Sequence, residues 1–564
     1  MAPAASSRRV ALGLDFGTES VRALAVDVAD GALVGRGAAS YAHGVMSERL
    51  RVAVPAGSEE TDSPALPADF ALQHPDDYLA AAEQAARAAL VDIPDRAAVV
   101  AIGVDFTACT MLPVDERLDP LCRRDEFRRE PHAYVKLWKH HGAIAEADAI
   151  NRAARELGER WLARYGGTTS PEWLLAKAWE TLRRAPRVYE AAARFVEAGD
   201  WVVARLTGVA DARALVRGAC AAGYKGLWHR RDGPPGERFL ARLDPRLVPF
   251  FREKTAGAVV AAGRPAGTLA REWAQRLRVP EGVPVSAAII DAHAAVPGAG
   301  VTKPGSLVAI LGTSACHMLL SESEQHVPGI QGVVEDGIVP GLFGYEAGQA
   351  AFGDTFDWFV ERLLGAPHGE RARVHAELSA KAAALPAGRS GLLVLDWWNG
   401  NRSVLVDPRL SGVVVGLTAA TRPEELYRAL IEGAAFSTRK IVENFVAHGV
   451  AVDEIVACGG IAERSDLVLQ LLADVTGRPI VRLDAPEICA LGAAICGATA
   501  AGLDPGAMAA RDRRTIQPRT GEAKLYAALA PRWSRLHDHF GGVANAAAAG
   551  AGDDVMHLLR ELRG

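Results

Sequence analysis

Asp15 ends an apolar run, Val10 to Leu14, and Gly17, Thr18 and Ser20 follow it. A glycine lets backbone N–H groups approach phosphate oxygens, two hydroxyls add donors, and a carboxylate is a hard oxygen ligand for Mg²⁺ or its waters. Gly312, Thr313 and Ser314 repeat the pattern in the second half, again between two apolar runs. Asp291 closes the apolar stretch 283–290 beside small residues that leave room for a substrate. It is a candidate general base, although as a favoured cap residue it could equally serve only the helix that follows. Gly459-Gly460 ends another apolar run and could let an adenine or ribose lie flat on the backbone, or could be a plain strand-to-helix turn. Glu346 stands in a Gly-rich apolar run, where a buried carboxylate needs a partner, either a protein group or a ligand. Lys225 lies in the Gly- and Ala-rich segment 217–228, open to close approach, although a loop lysine is commonly just solvated.

Hairpins must position the first two sets. Period-two alternation on either side of Gly17-Thr18-Glu19 predicts one β-hairpin over 10–27, and residues 307–321 predict another. A Gly-Thr hairpin tip alone is often only a turn. Two of them, one in each half, suggest a duplicated architecture with a nucleotide between like halves. A third strand is expected at 33–39, a helix from 75 to 90, and a buried strand at 97–105 running into the small and polar residues 106–110, which include Ala108. In open α/β sheets that edge is where ligands sit. Residues 115–280 form a long insertion. Its stretch 131–141, PHAYVKLWKHH, reads as a pocket wall or as a plain helix face, and Ser170-Pro171 reads as the start of a helix over 171–184. The second half repeats the order: helix 422–448, strand 454–460, helix 465–476, strand 479–483 and a small-residue helix 488–501. Helices are also expected at 522–539 and 554–562, with a flexible Ala/Gly stretch at 541–552 between them.

With 564 residues, 49% of them apolar, the chain can bury a large core and is long enough for two domains. A net charge of −5 supplies no basic field for nucleic acid or an acidic membrane. No signal-type leader and no long uncharged apolar run are seen, so no membrane span is expected. Seven cysteines without a Cys-x-x-Cys pair read as reduced packing residues, which points to the cytoplasm. The chain has no Gly-Lys dipeptide and no Gly-x-Gly-x-x-Gly after a strand, so P-loop and Rossmann sites lose their main support.

The two hairpins, DFGTES and LGTSAC, resemble the phosphate-binding hairpins of the sugar kinase, heat-shock chaperone ATPase and actin superfamily. Longer strings are more specific. GVDFTACTMLPVD (103–115), PHAYVKLWKHH (131–141), RGACAAGYKGLW (217–228), IIDAHAAVPGAG (289–300), YEAGQAAFGDTFDWF (345–359) and LDWWNGNRSVLVDPRLSGVVVGLT (395–418) make residues 8–510 similar to the FGGY carbohydrate kinases. The resemblance implies an α/β fold of two actin-like, ribonuclease H-like domains. Each is a mixed five-stranded sheet flanked by helices, with a nucleotide cleft between. It implies a sugar-binding domain at 8–300, an ATP-binding domain at 301–510 and a helical tail at 511–564. The implied reaction is transfer of the γ-phosphoryl of ATP, with Mg²⁺, to the 5-hydroxyl of L-ribulose, in arabinose catabolism. On this resemblance Asp291 is the base; Lys225, Glu346 and the Ala108 backbone contact sugar; Asp15 associates with the metal. Thr18, Gly312, Thr313, Gly459 and Gly460 bind nucleotide. The same chemistry on another pentulose, such as D-ribulose or xylulose, is the nearer alternative; a non-metabolic actin-like or chaperone-like ATPase is the farther one. A homodimer stays open, and His140 and His141 have no assigned role.

Overall fold

Seven residues without an exposed side chain, Val10–Phe16, form β1 at the centre of the first sheet of the computed structural model, which describes residues 8–52, 63–485 and 487–543. β2 (Ser20–Asp27) and β3 (Leu33–Ser40) follow as an antiparallel meander. After helix α1 (Pro75–Ala89), β4 (Val99–Phe106) lies parallel to β1 on its other side. β5 (Pro265–Thr268), β6 (Pro284–Ser286) and β7 (Ile289–Ile290) complete the sheet, in the order β5-β6-β4-β1-β2-β3 with β7 also pairing with β4.

The second sheet repeats this plan. β8 (Gly305–Leu311) and β9 (Ala315–Ser321) form the second hairpin, and β10 (Gly332–Glu335) and β11 (Phe343–Gln349) continue it. β12 (Val452–Cys458), β13 (Ile480–Leu483) and β14 (Arg513–Ile516) lie on the far side, giving β10-β11-β9-β8-β12-β13-β14. Each sheet has seven strands rather than five. The expected five-stranded core is present in both: β3-β2-β1-β4-β6 in one and β11-β9-β8-β12-β13 in the other. The first three strands of each are antiparallel and the last two parallel to the central one. The additional strands extend the edges.

Two small-residue helices join the halves. α2 (Asp291–Gly298) and α3 (Ile488–Ala500) cross so closely that a Cβ on Gly492 would stand 1.7 Å from the Ala294 carbonyl oxygen. α3 also lies on the first sheet: Cβ atoms on Gly13 and Gly103 would meet the carbonyl oxygens of Ala490 and Ala493 at 2.0 and 1.7 Å. Only glycine permits backbone to pack on backbone at this range. The cleft edges of both sheets are thereby brought to one place.

Several expected elements differ in detail. Stretch 283–290 is two short strands broken at Ala287-Ala288, and Asp291 is the first residue of α2 rather than its cap, Ile290 taking that place. The helix expected from 171 runs over Leu174–Arg184; Ser170 instead accepts from the Glu172 N–H in a turn before it. PHAYVKLWKHH is not a helix but a short 3₁₀ turn, a strand pair and a loop. There Lys136 and His140 both bond the buried Glu180 at 2.7 and 2.9 Å, so His140 is a packing residue. Beyond residue 510, β14 joins the second sheet and helix Thr520–Phe540 packs on helix Pro423–Ala447 through Tyr526, whose hydroxyl donates to Glu432 at 2.6 Å. The helix expected at 554–562 and residues 544–552 of the stretch before it lie outside the described residues.

Candidate active site

β1 and β4 carry the same phrase in register. Gly13, Leu14, Asp15 and Phe16 face Gly103, Val104, Asp105 and Phe106 across the parallel pair, with the two phenyl rings stacked at 4.9 Å. The register places Asp15 and Asp105 side by side at the carboxyl ends of both strands. Both are buried, and apart from Asp15 Oδ2, which faces Arg22, their carboxylate oxygens have no N–H donor. Arg22, opposite Asp15 on β2, stands 2.8 Å from Asp15 Oδ2 as an ion pair. Two adjacent buried carboxylates cannot both be charged cheaply. Burial pushes Asp15 up against the opposing pull of Arg22; burial and then the charges of Asp15 and Asp291 push Asp105 up much further. Asp291, at the head of α2, joins them. Its Oδ1 accepts from the Ala292 N–H at 2.7 Å, which is not the reach of a helix cap. Burial, then the Asp15 charge, holds its carboxyl up at about 7. An acid that titrates near neutrality can both take and keep a proton at working pH.

Each hairpin tip is closed by a glycine N–H, over four residues in the first and three in the second. In one the Gly17 N–H donates to the Ser20 carbonyl at 3.0 Å; in the other the Gly312 N–H donates to the Ser314 carbonyl at 2.9 Å. A Cβ on Gly312 would meet nothing closer than the Ser314 carbonyl oxygen at 3.7 Å, so space is open over that turn. Thr18 is fixed from the insertion, its hydroxyl accepting from the Trp138 indole at 3.0 Å. The Thr313 carbonyl accepts from Phe352 N–H at 2.7 Å, which ties the second tip to the segment after β11. Gly459 follows β12 with φ +89°, and a Cβ there would stand 2.8 Å from the Leu311 carbonyl oxygen. Gly459 and Gly460 therefore lie beside the end of β8, next to the Gly312 turn.

Lys225 and Glu346 come together from opposite halves, Nζ to Oε2 at 2.6 Å, both buried. Burial opposes both charges, but the partner together with further neighbours overcomes it: Lys225 is held above and Glu346 below the ordinary range. His293, on α2, approaches Glu346 Oε2 at 3.6 Å. Ala108 sits past the end of β4 before Cys109, which has φ +55°. There the chain turns, and the Cys109 carbonyl accepts from Lys177 at 2.6 Å. Glu172 pairs with His141 at 3.1 Å, which gives that histidine a partner. Three groups of the predicted residues thus come together: Asp15 and Asp291 with Asp105, Lys225 with Glu346, and Gly459 with the Gly312 turn. Sequence reasoning missed Asp105, although the repeated GLDF and GVDF phrases were a signal for it. It also missed Arg22, His293 and Glu172, whose partners are brought to them by the fold.

Residues 307–501 match the model of the FGGY family of carbohydrate kinases, C-terminal domain. In fold the chain is similar to a xylulose kinase from Rhodospirillum rubrum. The TM-score is 0.77 at 23% identity, covering 95% of this chain and 99% of that one. It is also similar to Plasmodium falciparum glycerol kinase with ADP, with a TM-score of 0.73 at 14% identity over 94% and 98% of the two chains. These likenesses carry the two-domain actin-like fold. A ribulokinase of Geobacillus thermodenitrificans is 45% identical over 98% of this chain and 97% of its own. One from Mycolicibacterium smegmatis is 43% identical over 94% of each. The chain belongs to the FGGY family of carbohydrate kinases, and the reading as a non-metabolic ATPase gives way to that. Within the family, the relatives it matches from end to end are ribulokinases. Among the described residues no helix is long and apolar enough to cross a membrane, and all seven cysteines are free.

Proposed function

We propose that this chain phosphorylates L-ribulose at its 5-hydroxyl with ATP, as a cytoplasmic enzyme of sugar catabolism. The observation that carries the reading is Asp291, held up at about 7 between the two phosphate-type hairpins and the Lys225–Glu346 pair. The sugar binds against Lys225, Glu346 and the Ala108 backbone. Asp291 then takes the proton of the attacking hydroxyl. The Gly17-Thr18 and Gly312-Thr313 turns offer backbone and hydroxyl donors to phosphates from two sides, and Gly459-Gly460 leave room for the nucleoside. Residues 8–300 are the sugar-binding part and 301–510 the ATP-binding part.

Asp15 and Asp105 fit a divalent cation, since of their four buried carboxylate oxygens only Asp15 Oδ2 faces a cationic donor, Arg22. Bound there, Mg²⁺ would neutralise charge on the phosphate oxygens. Arg22 limits the charge of the acid pair and fixes the Asp15 carboxylate. Closure of the two halves about the α2–α3 crossing would exclude water from the reacting groups and favour sugar over water as acceptor. A pentulose of other stereochemistry is a second reading. Sugar-dependent ADP release under Mg-ATP tests both: stimulation by L-ribulose above other pentuloses is expected, and release indifferent to any sugar would refute the reading.

A further inference from the structure

Arg22, Lys225 and Arg402 are cations near the acids of the site, and two of them are in ion pairs. Arg22 is paired with Asp15 and Lys225 with Glu346. The third is Arg402. Among the described residues its guanidinium forms no ion pair with a carboxylate; its polar contact is Nη1 to Cys316 Sγ at 3.8 Å. Cys316 lies two residues past Ser314 of the second phosphate hairpin and is the register partner of Gly348. The Arg402 side chain crosses Gly348 closely enough that a Cβ there would stand 3.2 Å from Cδ and 3.5 Å from Nη1. Glu346 is two residues before Gly348 on the same strand, hence on the same face. Arg402 therefore occupies the span between the phosphate hairpin and the sugar-side pair.

The loop is anchored at several points. The Arg402 carbonyl accepts from Gln331 Nε2 at 2.7 Å, and Ser403 Oγ donates to Gln331 Oε1 at 2.9 Å while accepting from the Gly348 N–H at 3.2 Å. Asn401 and Asp407 exchange backbone hydrogen bonds at 2.9 Å. These bonds fix the backbone from which the guanidinium extends, the charges of Glu172 and Glu346 also act on it, and its planar fork suits two phosphate oxygens. A neutral sugar needs no third cation. A sugar phosphate brings new negative charge, and Arg22 and Lys225 are already paired with Asp15 and Glu346.

We infer that Arg402 is a phosphate-binding residue that receives the phosphoryl group on the sugar side and holds the sugar phosphate after transfer; this rests on the kinase reading above. In the step, the bond from the γ-phosphorus to the β–γ bridging oxygen breaks and a bond to the sugar oxygen forms. The hydroxyl proton goes to Asp291, and ADP leaves with the electron pair of the bridging oxygen. Arg402 follows the moving group, so its contact grows along the reaction.

The test compares the wild type, R402Q and R402K by calorimetry with ribulose and with ribulose 5-phosphate, together with ADP release. R402Q is expected to bind ribulose 5-phosphate at least ~10-fold more weakly and to lose about 100-fold in kcat, with ribulose affinity little changed. R402K keeps the charge without the fork and should fall between; it carries the same comparison if R402Q does not fold. Equal losses for both ligands, or an unchanged affinity for the sugar phosphate, would overturn the inference. A wild type that releases no ADP on ribulose and binds no ribulose 5-phosphate would instead mean that the kinase reading itself has failed.

Discussion

Replacing Asp291 by Asn should make the protein more stable and nearly inactive. The wild-type carboxyl is held up at about 7 instead of 3.8 by burial and then by the Asp15 charge. Below 3.8 the group is protonated both folded and unfolded, and folding is not penalised. Between 3.8 and about 7 the unfolded chain ionises while the folded one does not, so stability falls as pH rises; above about 7 the loss is complete. At ~1.36 kcal/mol per pH unit, the full gap corresponds to about 4 kcal/mol. Coupling to Asp15 spreads part of this over both acids, leaving about 2–4 kcal/mol for the single substitution. Asn cannot ionise and escapes the penalty. Urea unfolding without nucleotide, at pH 5 and pH 8, should show the Asn variant gaining more over the wild type at pH 8. Its turnover, read by ADP release, should fall about 100-fold or more. The wild-type rate should decline on the acid side of about pH 7 as the base is protonated. A variant with near-normal turnover would refute the base assignment. A stability gain that did not grow with pH would refute the account of the buried charge.

Lys225→Ala should weaken sugar binding, measured by calorimetry, with little change for ATP; equal loss of both ligands would argue against a sugar-side role. The same change leaves Glu346 buried without its partner, so a stability loss of about 3–5 kcal/mol is expected in chemical unfolding. Gly459→Ala forces a Cβ to 2.8 Å from a carbonyl oxygen at φ +89°, and should cost about 1–3 kcal/mol and weaken ATP binding before sugar binding. Gly492→Ala places a Cβ 1.7 Å from the Ala294 carbonyl, so the two helices must part; a lowered melting temperature is expected, and an unchanged one would count against the close crossing.

The hairpins were legible because period-two patterning and a Gly-Thr turn are local signals, and the same holds for the duplicated order of strands and helices. Asp291 was legible as an acid ending an apolar run, though not its place inside the helix. The insertion was read less well. Glu172 looks like a helix-start residue beside Pro171, and only the late start of that helix at Leu174 turns it toward His141. Lys136 and His140 sit in a string that mixes aromatic and basic residues, yet their partner, Glu180, is brought in by packing alone. Arg402 lies within the string 395–418 that carried the family resemblance, but the place of its side chain comes from a strand it crosses over 50 residues earlier in the chain. Local rules cannot show such distant contacts. Asp105 is different: its phrase repeats that of Asp15, and a parallel register was enough to place the two acids together.

The central claim is that the cleft makes ATP cleavage depend on a sugar hydroxyl. The most direct measurement is ADP release under Mg-ATP with L-ribulose, D-ribulose, L-xylulose, D-xylulose, L-arabinose and glycerol supplied in turn. Strong stimulation by L-ribulose, lost in the Asp291→Asn variant, is the predicted result. ADP release at the same rate with every sugar and with none would contradict the account.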